Sequence, residues 1–437
     1  MDAFCLTDAP GRAFVAGGHE GIMAVDAASD QLRGVWRNEY YPIGLFADSA
    51  HGKLYCLGEY PALVSVIDPF ANRILSSIPL AGYPHAMAFN TVDRKAYVAV
   101  EEYHDVADAI VVLDAVGDTV LAEIAVARAP GFLAYDADDD LLYAARSNSD
   151  RVLAIDGKTD SVIDSTWVSE DCRGLVYNAA RHRLYSLGSV DEVTAFTPRT
   201  HGQNSYISVD AELQLFALDE SGTRLYAGNP DDDVIYVIDC VGESLAGVIR
   251  VSAPPVALSY DAQHDRLYCA HGDEEGVSVV DCSWRATTAV IPVSASFLYW
   301  DAGTDDIYCV GESGLAVVDG GTHKVTATLD MGWPLGVASA PGWPRVYVAD
   351  NNETYLTVIR TDEWPQVRAV PDAQATVVRG RLDWTGTLAV MYDMGGRRIA
   401  DVHRGGNDVS RLHPGVYFIR QNGVRRGTYA RKVVVTR

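Results

Sequence analysis

The groups able to bind a metal or move a proton are unevenly spread along this 437-residue sequence, which holds 11 histidines and 59 acidic residues. Asp231, Asp232 and Asp233 in succession offer the oxygen ligands that Ca²⁺ favours, though without the alternating spacing and glycine of a dedicated calcium loop. Glu101 and Glu102, followed closely by His104, mix carboxylate and imidazole donors in one short stretch. His85, Arg173 and Gln214 are polar residues at places where the rest of the chain puts unrelated types, which makes them candidates for orienting a ligand. No nucleophile elbow, phosphate loop, His-Glu-x-x-His or glycine-rich dinucleotide fingerprint occurs. The seven cysteines are odd in number and five of them (Cys56, Cys240, Cys269, Cys282 and Cys309) sit at repeated positions, so they read as small buried hydrophobes and not as a disulfide framework.

The elements that carry these residues repeat. A basic or polar residue leads into an apolar-aromatic pair, and the aromatic recurs at Phe14, Tyr55, Tyr97, Tyr143, Tyr185, Tyr226, Tyr268, Tyr308 and Tyr347. The gaps are 41, 42, 46, 42, 41, 42, 40 and 39 residues. Within each period four period-2 strands are expected, A to D, bounded by Asp, Asn and Gly clusters. Strand A ends in an acid or amide (Asp48, Asn90, Asp136, Asn178, Asp219, Asp261, Asp301) that opens the A–B hairpin, since such side chains bond the backbone two residues on. Strand B carries the aromatic, and strand C is a Val-x-Val-Ile-Asp-like run such as Val277–Asp281.

Four antiparallel strands per roughly 41 residues match one blade of a β-propeller, whose faces are buried only by stacking on neighbours. The expected fold is therefore all-β: a propeller of about nine four-stranded blades over residues 1–370, with seven or eight as the alternative. Repeat 5 is degenerate, with Thr197 where Asp normally ends strand C. Past Pro371 the period fails, and residues 371–437 are expected to form a separate small β-domain.

Charge divides the chain at the same place. The formal net charge is −24, of which residues 371–437 contribute +7 (12 basic, 5 acidic) and the first 370 residues −31 (23 basic, 54 acidic). An acidic body repels phosphate backbones, so nucleic acid is not an expected partner. No apolar run reaches the roughly 18 residues of a membrane span. The segment Met1-Asp2-Ala3-Phe4 has no basic or apolar leader character, so any targeting segment is expected to be missing from this sequence.

The strings RLYAG, VIYVID and AGVIRVSAPPVALSYD between Arg224 and Asp261 resemble the YVTN-type propeller repeat. That resemblance covers about 85% of the chain. It implies a secreted or surface protein of bacteria or archaea, in a family made up largely of binding scaffolds but with lactonase, quinoprotein and copper-reductase relatives. The tail resembles the C-terminal sorting domain of type IX-like secretion systems, an Ig-like β-sandwich. Its matching residues are Tyr392-Asp393, Gly396-Arg397, then Leu412 with Pro414-Gly415-Val416-Tyr417-Phe418, then Lys432-Val433-Val434. The usual Pro-Asn-Pro entry is replaced by Ala375-Thr376-Val377-Val378-Arg379.

In a propeller with strand A innermost, the D–A and B–C loops surround one mouth of the central channel, and the A–B and C–D turns surround the other. His85, Arg173, Gln214, Glu101, Glu102 and His104 then fall near the first mouth, among strongly acidic B–C loops that also include Asp231–Asp233 and Asp273–Glu275. His182 and His264 fall in A–B turns at the opposite end, where exposure to solvent is expected. The expected function is an extracellular or cell-surface binding scaffold for a protein, glycan or small molecule, exported through its tail. No cofactor is required, with Ca²⁺ the one candidate ion. The alternative is a lactonase-like hydrolase working from the acidic face and the channel.

Overall fold

The computed structural model describes residues 42–330 apart from short loop segments (49, 72, 102–107, 128–129, 147–148, 169–171, 189–191, 198–203, 210, 273–275 and 313). Outside that span it describes the strands within 4–36, 334–360 and 376–435, with residues 403, 409, 411 and 412 beside them. Every named element is a β-strand. The first 360 residues form consecutive antiparallel sheets in which sequence neighbours pair in simple A-B-C-D order. Among the described residues, eight of these sheets have four strands and one, Pro334–Ser339 with Arg345–Asp350 and Leu356–Arg360, has three.

Hairpin chemistry explains the strand ends. The strand-A residue accepts from the turn it opens: Asp93 N–H to Asn90 at 2.7 Å, Thr223 N–H to Asp219 at 2.7 Å and Gln263 N–H to Asp261 at 2.9 Å. The strand-C aspartate does the same for the C–D turn, as in Phe70 N–H to Asp68 at 2.9 Å and Val241 N–H to Asp239 at 2.9 Å. The last residue of most such turns takes left-handed backbone angles, with Arg94, Asp140, His182, Asp265 and Asp305 in A–B turns and Asp118, Asp160, Glu243, Arg285 and His323 in C–D turns. That conformation reverses the chain within four residues, so the period is kept from repeat to repeat.

The core lies between the sheets. Each hydrophobic cluster draws on two consecutive sheets, as when Tyr55, Leu57 and Val64 of the second pack against Met87, Ala96 and Val98 of the third. The same holds for the third and fourth, fourth and fifth, fifth and sixth, sixth and seventh, seventh and eighth, and eighth and ninth. Tyr55, Tyr97, Tyr185, Tyr226, Tyr268 and Tyr308 are the largest fully buried side chains, so the periodic aromatic is the anchor between sheets. Strand Pro334–Ser339 lies beside Phe4–Leu6, which brings the ninth sheet back to the first. Sheets stacked face to face around a ring, innermost strand first, make this part of the chain a β-propeller.

Residues 376–435 form two further sheets. One has the strand order Thr376–Val378, Arg431–Val435, Gly415–Gln421, Ala389–Asp393, Arg398–Val402, and the other pairs Arg381–Trp384 with Gly405–Asp408. Leu382, Met391, Val402, Val409 and Ile419 form one buried cluster between them. The backbone of Tyr392 pairs with Phe418, that of Asp393 with Tyr417, and that of Phe418 with Lys432, so three of the resembling blocks run side by side; Gly415 opens the middle strand. Gly396, Arg397 and Pro414 lie outside the described residues.

Candidate functional site

Strand A of the third sheet, Tyr83–Asn90, presents His85 to solvent, and its Nε2 lies 2.6 Å from Oε2 of Glu101 at the end of strand B. Arg173 precedes strand A of the fifth sheet and pairs through Nη1 with Glu212 Oε2 at 2.9 Å, reaching toward the start of the sixth. Gln214 is exposed one residue before strand A of the sixth sheet, held by its N–H to Gly228 O at 3.0 Å. His85, Arg173 and Gln214 thus occupy equivalent entries to three strand A segments, and two of them carry their own carboxylate. Glu102 and His104 lie outside the described residues.

The three aspartates do not converge. Asn229 organises their loop, its Oδ1 accepting from the N–H groups of Asp231 and Asp232 and its Nδ2 donating to Asp232 Oδ2 at 3.2 Å. Asp233 turns instead to Arg250 Nη1 at 3.7 Å. The Asp232 and Asp233 carboxylates therefore point to separate partners, and Asp231–Asp233 provide no set of three mutually close ligand atoms. His271, in the B–C loop directly after strand Arg266–Ala270 of the adjoining sheet, is buried. Its Nε2 is 2.8 Å from Ser278 Oγ, and its Nδ1 is 3.3 Å from Pro254 O. This resembles a serine–histidine pair, but Ser278 is fully buried and also bonded to Ser252, so the contact satisfies buried polar groups.

Two groups of three potential metal ligands do form among the described residues, both at the A–B turn end: Asp136, Asp138 and His182, and Asp261, His264 and Asp305. The expectation that His182 and His264 stand free in solvent is corrected here. Both rings are half-buried and lie against carboxylates, His182 Nε2 at 3.1 Å from Asp139 Oδ2 and His264 Nδ1 at 2.9 Å from Asp261 Oδ2. The His264 contact is local to its own turn, whereas for His182 the physical reason is the packing of sheet on sheet. The A–B turn of one sheet sits on the strand-A acid of the sheet before it, so a side chain in the turn's last positions reaches across. Asn90 Nδ2 likewise donates to Asp140 Oδ1 at 2.9 Å, and Asn178 Nδ2 to Gly222 O at 2.8 Å. Asp140 is held above the usual carboxylate range, chiefly by burial. The signal was in the sequence as a separation of one period, 46 residues from Asp136 to His182 and 44 from Asp261 to Asp305. It is invisible when each turn is read by itself.

A second repeated device latches successive sheets. Lys53 Nζ donates to Ala115 O at 2.8 Å and pairs with Asp118, and Lys95 Nζ donates to Gly157 O and pairs with Asp160, both at 2.7 Å. Arg224 reaches Cys282 O at 3.2 Å, and Arg266 reaches Gly320 O at 2.7 Å and His323 Nε2 at 3.0 Å. Burial and the neighbouring Arg266 push His323 below the ordinary imidazole range, consistent with a neutral ring that accepts from the guanidinium. The six described cysteines are buried, and burial pushes the Cys56 and Cys309 thiols up to about 12, which leaves these two unreactive at neutral pH.

No family model matches the chain. It is 25% identical over 355 residues, 78% of its own length and 87% of the relative's, to the seven-bladed beta-propeller protein Rv1057 of Mycobacterium tuberculosis. Among solved structures it resembles a dihydro-heme d1 dehydrogenase, NirN, with a TM-score of 0.61 at 13% identity over 74% of this chain and 73% of that one. Hydrazine synthase of Kuenenia stuttgartiensis also matches, with a TM-score of 0.47 at 17% identity, over 66% of this chain and 95% of that one. The curated relative and the stacked four-stranded sheets agree on the fold: the chain is built on a β-propeller.

Proposed function

We propose that this protein is an exported binding scaffold: a nine-bladed propeller of residues 1–370 followed by a sorting-type, Ig-like β-sandwich of residues 371–437. The observation that carries the reading is the crowding of carboxylates on the B–C loops at one end of the ring. Glu59, Glu101, Asp150, Glu192, Asp231, Asp232, Asp233 and Glu312 all lie there, within a body of net charge −31. A face of one sign focuses its field outward and favours a basic partner, such as a lysine-rich segment of another surface protein. Nine blades are supported by the sheet count and by strand Pro334–Ser339 lying beside Phe4–Leu6. The sorting role is supported by the three resembling blocks and by the change of charge at Pro371.

Binding of a labelled decalysine peptide to the full chain tests the face. Reversal of Asp231, Asp233 and Glu312 to Lys should weaken binding at least tenfold and flatten its salt dependence. The same number of reversals away from that face, at Asp93, Glu123 and Glu220, should leave most of it. Equal losses from both sets would mean that net charge alone attracts the peptide. In a host with type IX-like export, the chain cut after Pro371 should stay in the periplasm while the full chain reaches the surface. Unchanged export would remove the sorting role and leave the scaffold reading standing.

A further inference from the structure

We propose that the junction of the fourth and fifth sheets holds one divalent transition-metal ion, Mn²⁺ or Zn²⁺, through Asp136, Asp138 and His182. Strand Phe132–Asp136 delivers Asp136 at its last residue, the following turn delivers Asp138, and the A–B turn of the next sheet delivers His182 with left-handed backbone angles. One ligand atom from each lies within 4.8 Å of the others; Nδ1 of His182 is 3.9 Å from Asp136 Oδ2 and 3.8 Å from Asp138 Oδ2. An ion between them needs only small contraction to reach metal–ligand distances of about 2.0–2.2 Å.

A second observation points to the ion itself. Asp136 has 0% exposure, and its two oxygens are treated differently. Oδ1 accepts from the Tyr177 hydroxyl at 2.8 Å and from the N–H groups of Asp138 at 3.0 Å and Asp139 at 3.3 Å. Oδ2, buried and facing His182, receives no hydrogen bond. Leaving a buried carboxylate oxygen without a donor is unfavourable, and a cation at this point supplies the missing partner.

The sister group serves as an internal control. At Asp261, Oδ1 takes the N–H groups of Gln263 and His264, and Oδ2 takes His264 Nδ1 at 2.9 Å, so both oxygens are satisfied by protein. Two aspartates and one histidine meet at each junction, but the histidine lies on the following sheet's turn in the first and on strand A's own turn in the second, and only the first leaves an oxygen without a donor.

The surroundings suit a ligand shell. Asp139 Oδ2 lies 3.1 Å from His182 Nε2, the carboxylate–imidazole arrangement that fixes a metal-binding ring with its other nitrogen turned to the ion. Tyr177 donates to Asp136 Oδ1 and lies 2.9 Å from His182 Nδ1, a contact that the ion would replace when that nitrogen loses its proton. Asp138 is 72% exposed, so the ion has an entry path and room for water ligands. Two carboxylates and one imidazole favour Mn²⁺ or Zn²⁺ over Ca²⁺, which prefers six to eight oxygens. Such an ion would clamp two sheets whose junction has Leu141 where neighbouring junctions carry a basic latch.

The test uses the full chain stripped with chelator, then titrated with MnCl₂, ZnCl₂ or CaCl₂ while bound Mn²⁺ is counted by its resonance signal and melting is followed. One Mn²⁺ should bind per chain and raise the melting temperature, with CaCl₂ at least tenfold weaker. Asp138→Asn, an exposed change that leaves the fold in place, should weaken Mn²⁺ at least tenfold, and His182→Gln should do the same. His264→Gln should leave affinity and stoichiometry unchanged. An absence of Mn²⁺ and Zn²⁺ binding, or full affinity retained in Asp138→Asn, or loss of the ion in His264→Gln, overturns the proposal.

Discussion

The junction of the third and fourth sheets and that of the fourth and fifth solve the same problem differently. At the first, Lys95 bonds a backbone carbonyl and a carboxylate in the next C–D turn, and Tyr97 OH reaches Gly157 O at 3.3 Å and Asp160 Oδ1 at 3.0 Å. At the second, Leu141 stands where Lys95 does, fully buried, and joins Tyr143, Leu184 and Phe196 in an apolar cluster. Phe196 meets Tyr143 edge-on at 6.3 Å, and Thr197 follows it in place of the strand-ending aspartate. Leu141 leaves no buried cation at this junction that would need a partner. An apolar side chain in place of an ionic latch can be neutral or stabilising when no buried charge is left unpaired.

The largest expected effect is on the anchor both junctions share. Tyr97→Ala should cost about 3–5 kcal/mol in urea unfolding, because a fully buried ring is replaced by a cavity between sheets. Tyr97→Phe should cost only about 1 kcal/mol, the net worth of its hydroxyl bonds. Near-equal losses from the two would show that the hydroxyl, and not the ring, holds the junction.

The latch comes next. Lys95→Met removes the partner of Asp160 and of a turn carbonyl at a position only 11% exposed, and should cost about 1.5–3 kcal/mol. Leu141→Met conserves volume in the apolar counterpart and should stay under about 1.5 kcal/mol. A larger loss at Leu141 than at Lys95 would reverse the comparison, making the apolar junction the more tightly specified of the two.

The strands and their order were legible because each signal is written about nine times over. A single Val-x-Val-Ile-Asp run is ambiguous, but Ala109–Asp114, Arg151–Asp156 and Val234–Asp239 at matching offsets are not. Turn acids were legible for the same reason, since their bonds are local and each needs only its own hairpin. Contacts between sheets were not, because they join residues a whole period apart. His182 on Asp136 and Lys95 on Gly157 depend on how one blade lies on the next, which no single repeat encodes. Candidate residues chosen for breaking the repeat, such as His85 and Arg173, were well placed near strand entries, but their pairing with Glu101 and Glu212 required coordinates.

The smallest expected effect lies at the eighth sheet, where Asp306 takes the position that Lys95 has in the third. It faces Asp301 on one side and Asp319 on the other in cross-strand register. Burial first, and then the charges of Asp319, Asp301 and Asp305, push its carboxyl from 3.8 up to about 6. The folded chain therefore holds this proton more tightly than the unfolded chain. The stability it contributes is complete below about pH 4, falls as pH rises through about 6, and is flat above that. Asp306→Asn has no proton to lose. Relative to the native chain, the variant should gain stability between pH 4 and pH 7, by on the order of 1 kcal/mol because the site is partly open to solvent. Urea unfolding of both proteins at several pH values isolates this group, since all other carboxylates titrate alike in the pair. A stability difference that does not change between pH 4 and pH 7 would mean that Asp306 releases its proton as readily in the folded chain as in the unfolded one, and that this junction tolerates the charge as readily as its neighbours tolerate lysine.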